Sequence, residues 1–262
     1  MAESLNLYWR IKSACRHLWR QWIINVFVGR SFFEVIGLYC QYLSDMMNYS
    51  KLKGSEKITF DDTHPCLFDR TSVTNIDAHY FYQDIWAMKQ IKSSGAIEHV
   101  DVGSLASFIG LLSTIVKVIF IDIRPLDVEL QNFESRVGTI LNLPFPEDSV
   151  RSISCLHVAE HIGLGRYGDP LDPQGTQKAA CELTRVLAKG GQLYFSLPIG
   201  KPRLCFNAHR IHSPGQILEY FKDLKLVEFC GVNDFGQFKE NILPDDFEGA
   251  HYACGMFHFT KE

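Results

Sequence analysis

Twelve residues, His99 to Gly110 (HVDVGSLASFIG), decide how this chain folds. The apolar run from His99 to Val102 predicts a β-strand that ends at Gly103. In an open α/β sheet, ligands bind at the carboxyl ends of such strands. The positions where a nucleotide-binding loop usually repeats glycine hold Leu105 and Ser107 instead. The stretch therefore predicts a cofactor corner of altered shape.

A second strand, KVIFIDIRP (residues 117–125), brings a carboxylate to the same corner. Asp122 follows Gly103 by 19 residues, close to the spacing at which a strand-helix-strand unit presents an acidic residue to a ribose. An ordinary role for Asp122 as a cap or turn residue stays open.

Apolar runs and amphipathic segments alternate through the rest of the chain. Strands are predicted at 98–102, 116–121, 137–141, 150–156, 192–197, 226–232 and 252–260. Helices are predicted at 77–91, 105–114 and 176–187, and one more begins at Ser213. Gly190 and Gly191 are predicted to stop the third helix, and Phe81, Ile85, Met88 and Trp86 to form one face of the first. This alternation predicts an α/β fold with a doubly wound, mostly parallel sheet of seven strands.

Residues 1–70 are predicted to form a helical extension and linker, and residues 71–262 the α/β domain. The first 50 residues mix aromatic and basic side chains at helical spacing, as in a cover packed on the domain or in an interfacial membrane helix. Arg30 and Glu34 interrupt the most apolar stretch, and a charge at mid-bilayer costs about 2.5–3.5 kcal/mol. We therefore do not expect a spanning helix.

Composition narrows the partners and the compartment. The formal charge of −4 disfavours nucleic acid as a partner and fits a small molecule or a glycan. The eight cysteines are scattered without a CxxC pair, which is typical of a reducing compartment. We expect a cytoplasmic protein, with peripheral contact to the inner face of the membrane as the alternative for its N-terminal region.

Two polar loops follow predicted strands and hold the candidate substrate residues. The first, CLHVAEHIGLGRYGDPLD (155–172), contains His157, Glu160, His161, Arg166, Tyr167 and Asp169. The second, LPIGKPRLCFNAHRIHSP (197–214), contains Asn207, His209 and Arg210, which are suited to a hydroxylated or anionic group. His161 or His157 is the natural base, with Glu160 beside them. A purely structural role for these loop residues stays open.

The segment His157 to His161 also matches the H-x-x-E-H pattern of zinc peptidases. That chemistry needs both histidines on one face of a helix. Here His157 ends a predicted strand, and Gly163 and Gly165 interrupt any helix beyond it. We expect neither a metallopeptidase nor a metal site.

The ordered series HVDVG, VIFIDIRP, LNLPFPEDSVRSISCLHVAEHI and ELTRVLAKGGQLYFSLP resembles the motifs of class I S-adenosylmethionine-dependent methyltransferases. More narrowly, GSLASFIG, EHIGLGRYGDPLDP and FNAHRIHSP resemble an uncharacterised methyltransferase-like family, domain of unknown function 268. The resemblance covers residues 98 to about 260, and the narrower one extends back to DAHYFYQD.

This resemblance implies a Rossmann-like fold, S-adenosylmethionine as cofactor, and roles for particular residues. The expected cofactor contacts are Asp101, Gly103 and Ser104 at the methionine part, Asp122 at the ribose, Asn142 and Leu143 at the adenine, and His157 beneath the methyl group. The implied activity is methyl transfer to a small hydroxylated acceptor, such as a sugar in surface-glycan biosynthesis. Because Leu105, Ser107 and Thr139 depart from the superfamily pattern, the alternative is an inactive protein of the same fold that binds a metabolite or partner.

Overall fold

A computed structural model describes residues 32–262, so most of the predicted aromatic and basic segment lies outside the described residues. The chain divides into two compact units, Met1–Asn75 and Ile76–Glu262. The expected boundary between residues 70 and 71 stays a prediction.

The described part of the first unit contains one long helix, α1 (Phe32–Ser50). Val35 and Leu67 are buried there against partly buried neighbours that include Tyr39 and Tyr42. Among residues 32–262, none of the helices combines the length and the apolar character that crossing a bilayer requires.

The second unit alternates strands and helices. Its strands are β1 (Glu98–Val102), β2 (Lys117–Asp122), β3 (Phe133–Val137), β4 (Val150–Leu156), β5 (Leu187–Ile199), β6 (Arg203–Cys205), β7 (His209–Ile211), β8 (Lys225–Val232), β9 (Phe238–Lys239) and β10 (Ala253–Thr260). Its helices are α2 (Ala78–Ser94), α3 (Ala106–Leu112), α4 (Gly175–Val186) and α5 (Pro214–Tyr220).

Eight strands of the described chain form one sheet in the order β3, β2, β1, β4, β5, β10, β8, β9. The first five strands of this order are parallel, and β10 runs antiparallel to β5 and β8. Helices α2 and α3 pack in one apolar core, and α4 and α5 in a second core. The predicted α/β class with a doubly wound, mostly parallel sheet is confirmed, with the two-residue β9 as an added edge strand.

The predicted strand at 137–141 is wrong, because β3 ends at Val137 and residues 138–141 form the turn that follows it. The N–H of Asn142 donates to the carbonyl of Thr139 over 3.0 Å and closes the turn. Ile140 fills the core from this turn, while β3 has half-exposed polar residues, as edge strands often do. An apolar run therefore marks burial here and not a strand.

The predicted end of α4 at Leu187 is confirmed within one residue, but Gly190 and Gly191 do not stop the helix. Helix α4 ends at Val186, and β5 begins at Leu187 in extended conformation. Gly190, with φ 73°, lies inside β5, where its N–H donates to the carbonyl of Lys261. The register between β4 and β5 shifts at this point. A glycine with positive φ inside a strand is typical of a bulge.

The predicted starts of α2 at residue 77 and of α5 at Ser213 are confirmed. The carboxylate of Asp77 accepts hydrogen bonds from the backbone N–H groups of His79 and Tyr80 at the start of α2. Ser213 and Gln216 form a complete capping box at the start of α5. These caps satisfy N–H groups that the first helical turn leaves without partners.

The buried face of α2 differs from the prediction. Phe81 and Ile85 are 46% and 40% exposed, whereas Trp86 is buried together with Ala87 and Ile91. Helix α2 has apolar side chains on more than one side, and its packing against the sheet selects the side that contains Trp86.

Close approach of two backbone segments fixes the loop between β4 and α4. A Cβ added to Gly175, the first residue of α4, would lie 2.1 Å from the carbonyl oxygen of Ile162. The backbone must therefore move to accept any larger residue at this position.

We expect Gly175→Ala to lower the free energy of unfolding by roughly 1–3 kcal/mol, the usual cost of forced overpacking. Gly110→Ala is the matched control, because Gly110 lies within α3 and a Cβ there meets nothing within 4 Å. Urea unfolding measures both values. Equal stability of the two variants would contradict the close approach.

Candidate functional site

One buried carboxyl group holds the corner after β1 together. Asp101 is fully buried; its Oδ1 accepts the N–H of Ser104 over 3.0 Å, and its Oδ2 accepts the hydroxyl groups of Ser104 and Ser154. The Ser104 hydroxyl also accepts the N–H of Leu156 over 3.1 Å. Because Ser154 and Leu156 belong to β4, this network ties β1 to β4. Asp101 and the Ser104 hydroxyl are predicted cofactor contacts. In the structure they stabilise the corner through hydrogen bonds within the protein.

Gly103 lies beside Asp122 and Val158 at the corner and has a φ of 71°. A Cβ added to Gly103 would lie 3.0 Å from a methyl group of Val158 and 3.4 Å from Oδ2 of Asp122. Oδ1 of Asp122 accepts the N–H of Arg124 over 2.7 Å. Asp122 therefore has the ordinary role of a turn residue through Oδ1 alone, and Oδ2 faces the corner.

Two adjacent cavities meet at Asp122, at the carboxyl ends of the strands. They measure 510 and 590 Å³, and both are lined by Gly103, Asp122, His157, His161 and Tyr167. Each is within the usual size of ligand pockets. They lie where the strand order reverses between β1 and β4, which is where open α/β sheets bind ligands. A cavity of 740 Å³ at the opposite, amino end of β1 lacks this placement.

His157 follows β4 in a strained conformation. Its φ of 55° is in the left-handed region, which costs a non-glycine residue about 1–3 kcal/mol. The ring is buried, and neither ring nitrogen has a hydrogen-bond partner among the described residues. Burial lowers the pKa of His157 to about 3, so the ring is neutral. Such strain and two unused nitrogens at a cavity wall are typical of a functional position.

Glu160 and His161 lie in one turn of 3₁₀ helix, Ala159–His161. Nδ1 of His161 lies 2.6 Å from the carbonyl oxygen of Ala208, which assigns the proton to Nδ1 and a lone pair to Nε2. Nε2 is 3.7 Å from Oε1 of Glu160, whose Oε2 is buried without a hydrogen-bond partner. Burial lowers the pKa of His161 to about 4 and raises the pKa of Glu160 to about 8. Both groups are therefore uncharged at neutral pH.

The same geometry confirms that the H-x-x-E-H pattern is not helical. His157 follows a strand, and only Glu160 and His161 share a turn. The two histidines therefore do not lie one helical turn apart on one face.

The first polar loop is held partly by its own side chains. The carboxylate of Asp169 accepts the N–H groups of Gly163 and Tyr167 over 2.6 and 3.4 Å. The guanidinium groups of Arg124 and Arg166 lie 4.3 and 5.1 Å from the centre of the Tyr167 ring. Tyr167 lines both cavities, Arg166 the smaller and Asp169 the larger.

The second polar loop supplies one cavity residue. His209 lines the smaller cavity, with its ring 5.3 Å from that of Tyr252. Arg210, predicted to bind substrate, instead donates hydrogen bonds to two backbone carbonyls of the first polar loop. Asn207 is exposed and lines neither cavity. Arg210 therefore holds the loop in place.

The structure places Asn142 and Leu143 outside both cavities. The N–H of Leu143 donates to Oε1 of Glu182 over 2.7 Å, and Asn142 closes the turn described above. Residues 138–141, which include Thr139, form the adjacent wall of the larger cavity. The side of the site expected to meet an adenine thus begins a few residues earlier than predicted.

Sequence reasoning missed four residues around His157. Tyr80 and Tyr252 line the smaller cavity. One possible ligand atom from each of His79, His157 and Cys254 lies within 4.8 Å of the others. These residues are far apart in the chain, so spacing could not reveal them. The only signal was the segment DAHYFYQD, which contains His79 and Tyr80.

Residues 100–229 match the family described as Caenorhabditis protein of unknown function, DUF268. This match confirms the resemblance to DUF268. The matched segment contains the corner, Asp122 and the first polar loop, but neither His79 nor Cys254. No curated protein matches the chain.

Several solved structures are similar to the chain at low sequence identity. NodS, an N-methyltransferase from Bradyrhizobium japonicum WM9 solved with S-adenosyl-L-homocysteine, is 16% identical, with 75% of this chain and 91% of NodS covered and a TM-score of 0.51. YcgJ from Bacillus subtilis is 17% identical, with 68% and 99% covered and a TM-score of 0.47. PH0226 from Pyrococcus horikoshii OT3 is 13% identical, with 72% and 94% covered and a TM-score of 0.47. The likeness to NodS shows that the chain has the Rossmann-like methyltransferase fold.

The carboxyl group of Asp101 predicts a pH dependence of stability. Burial raises the pKa of Asp101 to about 7, above the ordinary value of 3.8 that the unfolded chain keeps. Between these values the native state retains a proton that the unfolded state loses, so stability falls as the pH rises. From pH 5 to pH 8 the loss from this group is on the order of 2 kcal/mol.

We expect Asp101→Asn to remove this part of the pH dependence, which urea unfolding at several pH values would measure. Asp223→Asn, at an exposed acidic residue, should leave the profile as in the wild type. Parallel profiles for wild type and Asp101→Asn would show that the carboxyl group titrates normally.

Proposed function

We propose that the protein transfers a methyl group from S-adenosylmethionine to a small hydroxylated acceptor, such as a sugar in surface-glycan biosynthesis. The main support for the proposal is the position of Asp122. Its Oδ2 faces the junction of two cavities at the switch point of the sheet. The shared fold of NodS, a methyltransferase solved with S-adenosyl-L-homocysteine, supports it.

The residues at the junction fit such a cofactor. The Asp122 carboxylate would accept hydrogen bonds from two ribose hydroxyls, and the absence of a side chain at Gly103 leaves the space beside it open. The largely apolar larger cavity, with Ile140 and Val158 in its wall, would take the adenine ring. S-adenosylmethionine, when bound, supplies a methyl group activated by its sulfonium.

The smaller cavity has the groups that an acceptor hydroxyl needs. Nε2 of His161 has a lone pair and would take the hydroxyl proton. Oε2 of Glu160, which has no hydrogen-bond partner, would hold the acceptor beside it. Orientation of the acceptor is the main contribution that these residues make, because a fixed geometry removes much of the entropic barrier.

The charge state of the cavity favours a neutral acceptor. Burial keeps His157 and His161 unprotonated and Glu160 protonated at neutral pH, through the pKa shifts given above. Tyr80 and Tyr252 add aromatic surface with a polar end, which suits the mixed apolar and hydroxylated faces of a sugar.

The altered corner favours a second candidate, an inactive protein of this fold that binds a metabolite or partner. Leu105 is 45% exposed and lines the smaller cavity at a position where glycine is usual. A side chain there reduces the space for the ligand, and direct binding measurements separate the two candidates.

We place the reaction in the cytoplasm, and we include contact of the N-terminal segment with the inner face of the membrane in the same proposal. The seven cysteines among the described residues are all unpaired, which supports a reducing compartment.

Calorimetry with S-adenosylhomocysteine tests the cofactor assignment. We expect Asp122→Ala to weaken binding by at least about tenfold, since a hydrogen bond to a charged group contributes roughly 1.5–3 kcal/mol. Asp127→Ala removes the same charge from an exposed residue that lines neither cavity, and should bind as the wild type does. Unchanged affinity of Asp122→Ala would refute the ribose contact. A wild-type chain that binds nothing at millimolar ligand would favour the inactive candidate.

Methyl transfer to a panel of free and nucleotide-linked sugars, followed by mass spectrometry, tests the acceptor side. We expect His161→Gln to lower kcat by roughly 10²–10⁴-fold, the usual contribution of a general base, and Glu160→Ala to raise the KM for the acceptor, both with little change in S-adenosylhomocysteine affinity. His258→Gln is the control, because His258 lines neither of the two cavities at Asp122. Full activity of both site variants would remove their proposed roles.

A further inference from the structure

Three side chains with metal-binding atoms converge next to the smaller cavity. His79 comes from the first turn of α2, His157 follows β4, and Cys254 belongs to β10. One ligand atom of each lies within 4.8 Å of the other two. Three separate elements therefore bring two imidazoles and a thiol to one point.

The cluster lacks the hydrogen bonds that would explain it as ordinary packing. Both ring nitrogens of His157 are buried without a partner, although buried polar groups in proteins are nearly always paired. An unpaired buried group costs about 1–3 kcal/mol, and His157 also has a left-handed backbone. The Sγ atom of Cys254 has only a weak contact, 3.9 Å from the carbonyl oxygen of Gly255.

Ring packing fixes His79 beside the cluster. Its ring stacks on the Tyr252 ring at 5.1 Å and lies edge-on to the His157 ring at 5.6 Å. These two contacts hold the His79 imidazole beside the other two side chains.

We propose that His79, His157 and Cys254 bind one zinc ion. Two imidazole nitrogens and one thiolate sulfur suit zinc, whereas magnesium and calcium prefer oxygen ligands. Around tetrahedral zinc, neighbouring ligand atoms lie about 3.3–3.6 Å apart, so side-chain shifts of about 1 Å complete the site. Binding converts the Cys254 thiol to the thiolate, and the proton passes to solvent.

Three protein ligands leave the fourth tetrahedral position for water or another oxygen, as in catalytic zinc sites. His157 lines the smaller cavity together with Glu160 and His161, so a fourth ligand would reach the ion from this cavity. An acceptor hydroxyl is the ligand class that fits it, because zinc lowers the pKa of a bound oxygen acid. The metal site itself does not depend on the proposed methyl transfer.

Zinc and cobalt binding to the full chain test this inference. We expect one zinc per chain by elemental analysis, and cobalt(II) should give a thiolate charge-transfer band. Cys254→Ser should abolish the band, and Cys254→Ser and His79→Gln should each weaken zinc binding by more than about 100-fold, since even second-shell partners contribute 10–100-fold. Cys230→Ser, at another buried thiol, should bind zinc as the wild type does.

Circular dichroism shows whether each variant is folded, and His79→Gln decides the question if Cys254→Ser does not fold. A folded wild-type chain that binds no zinc would overturn the inference, as would wild-type affinity in both variants. S-adenosylhomocysteine calorimetry on the same preparations keeps the two proposals apart. Zinc binding without nucleoside binding would leave the metal site standing and remove the methyltransferase assignment.

Discussion

The buried carboxyl group of Asp101 is the constraint on which the site depends. Its bonds to Ser104 and Ser154 fix where β1 ends relative to β4, and so where Gly103 places the backbone. A corner of this kind needs positive φ at one residue only, which Gly103 supplies. Side-chain hydrogen bonds therefore stabilise this turn, whereas other nucleotide-binding loops depend on repeated glycines. The loop after Gly103 can therefore contain Leu105 in place of a glycine.

The parts of the fold that local patterns determine could be predicted from the sequence. The strands at β1 and β4 and the caps of α2 and α5 each depend on a few neighbouring residues. The turn at 138–141 and the bulge at Gly190 could not, because the sheet edge and the pairing register decide them. The sequence likewise marks Arg210 as polar but not as a donor to backbone carbonyls.

The site has an exposed part with charged side chains and a buried part with uncharged ones. The side chains of Arg124 and Arg166 are exposed and that of Asp122 is half-buried, whereas burial keeps His157 and Glu160 uncharged, with lowered and raised pKa values respectively. A deep wall of neutral donors and acceptors discriminates against charged molecules, because no counter-ion repays the loss of their hydration. This contrast was invisible in the sequence, since the same residue types occur in both parts.

The place of β10 in the sheet governs the order in which the molecule assembles. β10 lies between β5 and β8, yet it follows both along the chain. Until this strand inserts, its two neighbours expose unpaired edges, and such long-range closure is slow. Tyr252 immediately precedes β10 and lines the smaller cavity, so its place in the cavity depends on the insertion of this strand. A ligand that contacts Tyr252 therefore stabilises the chain only once β10 is paired.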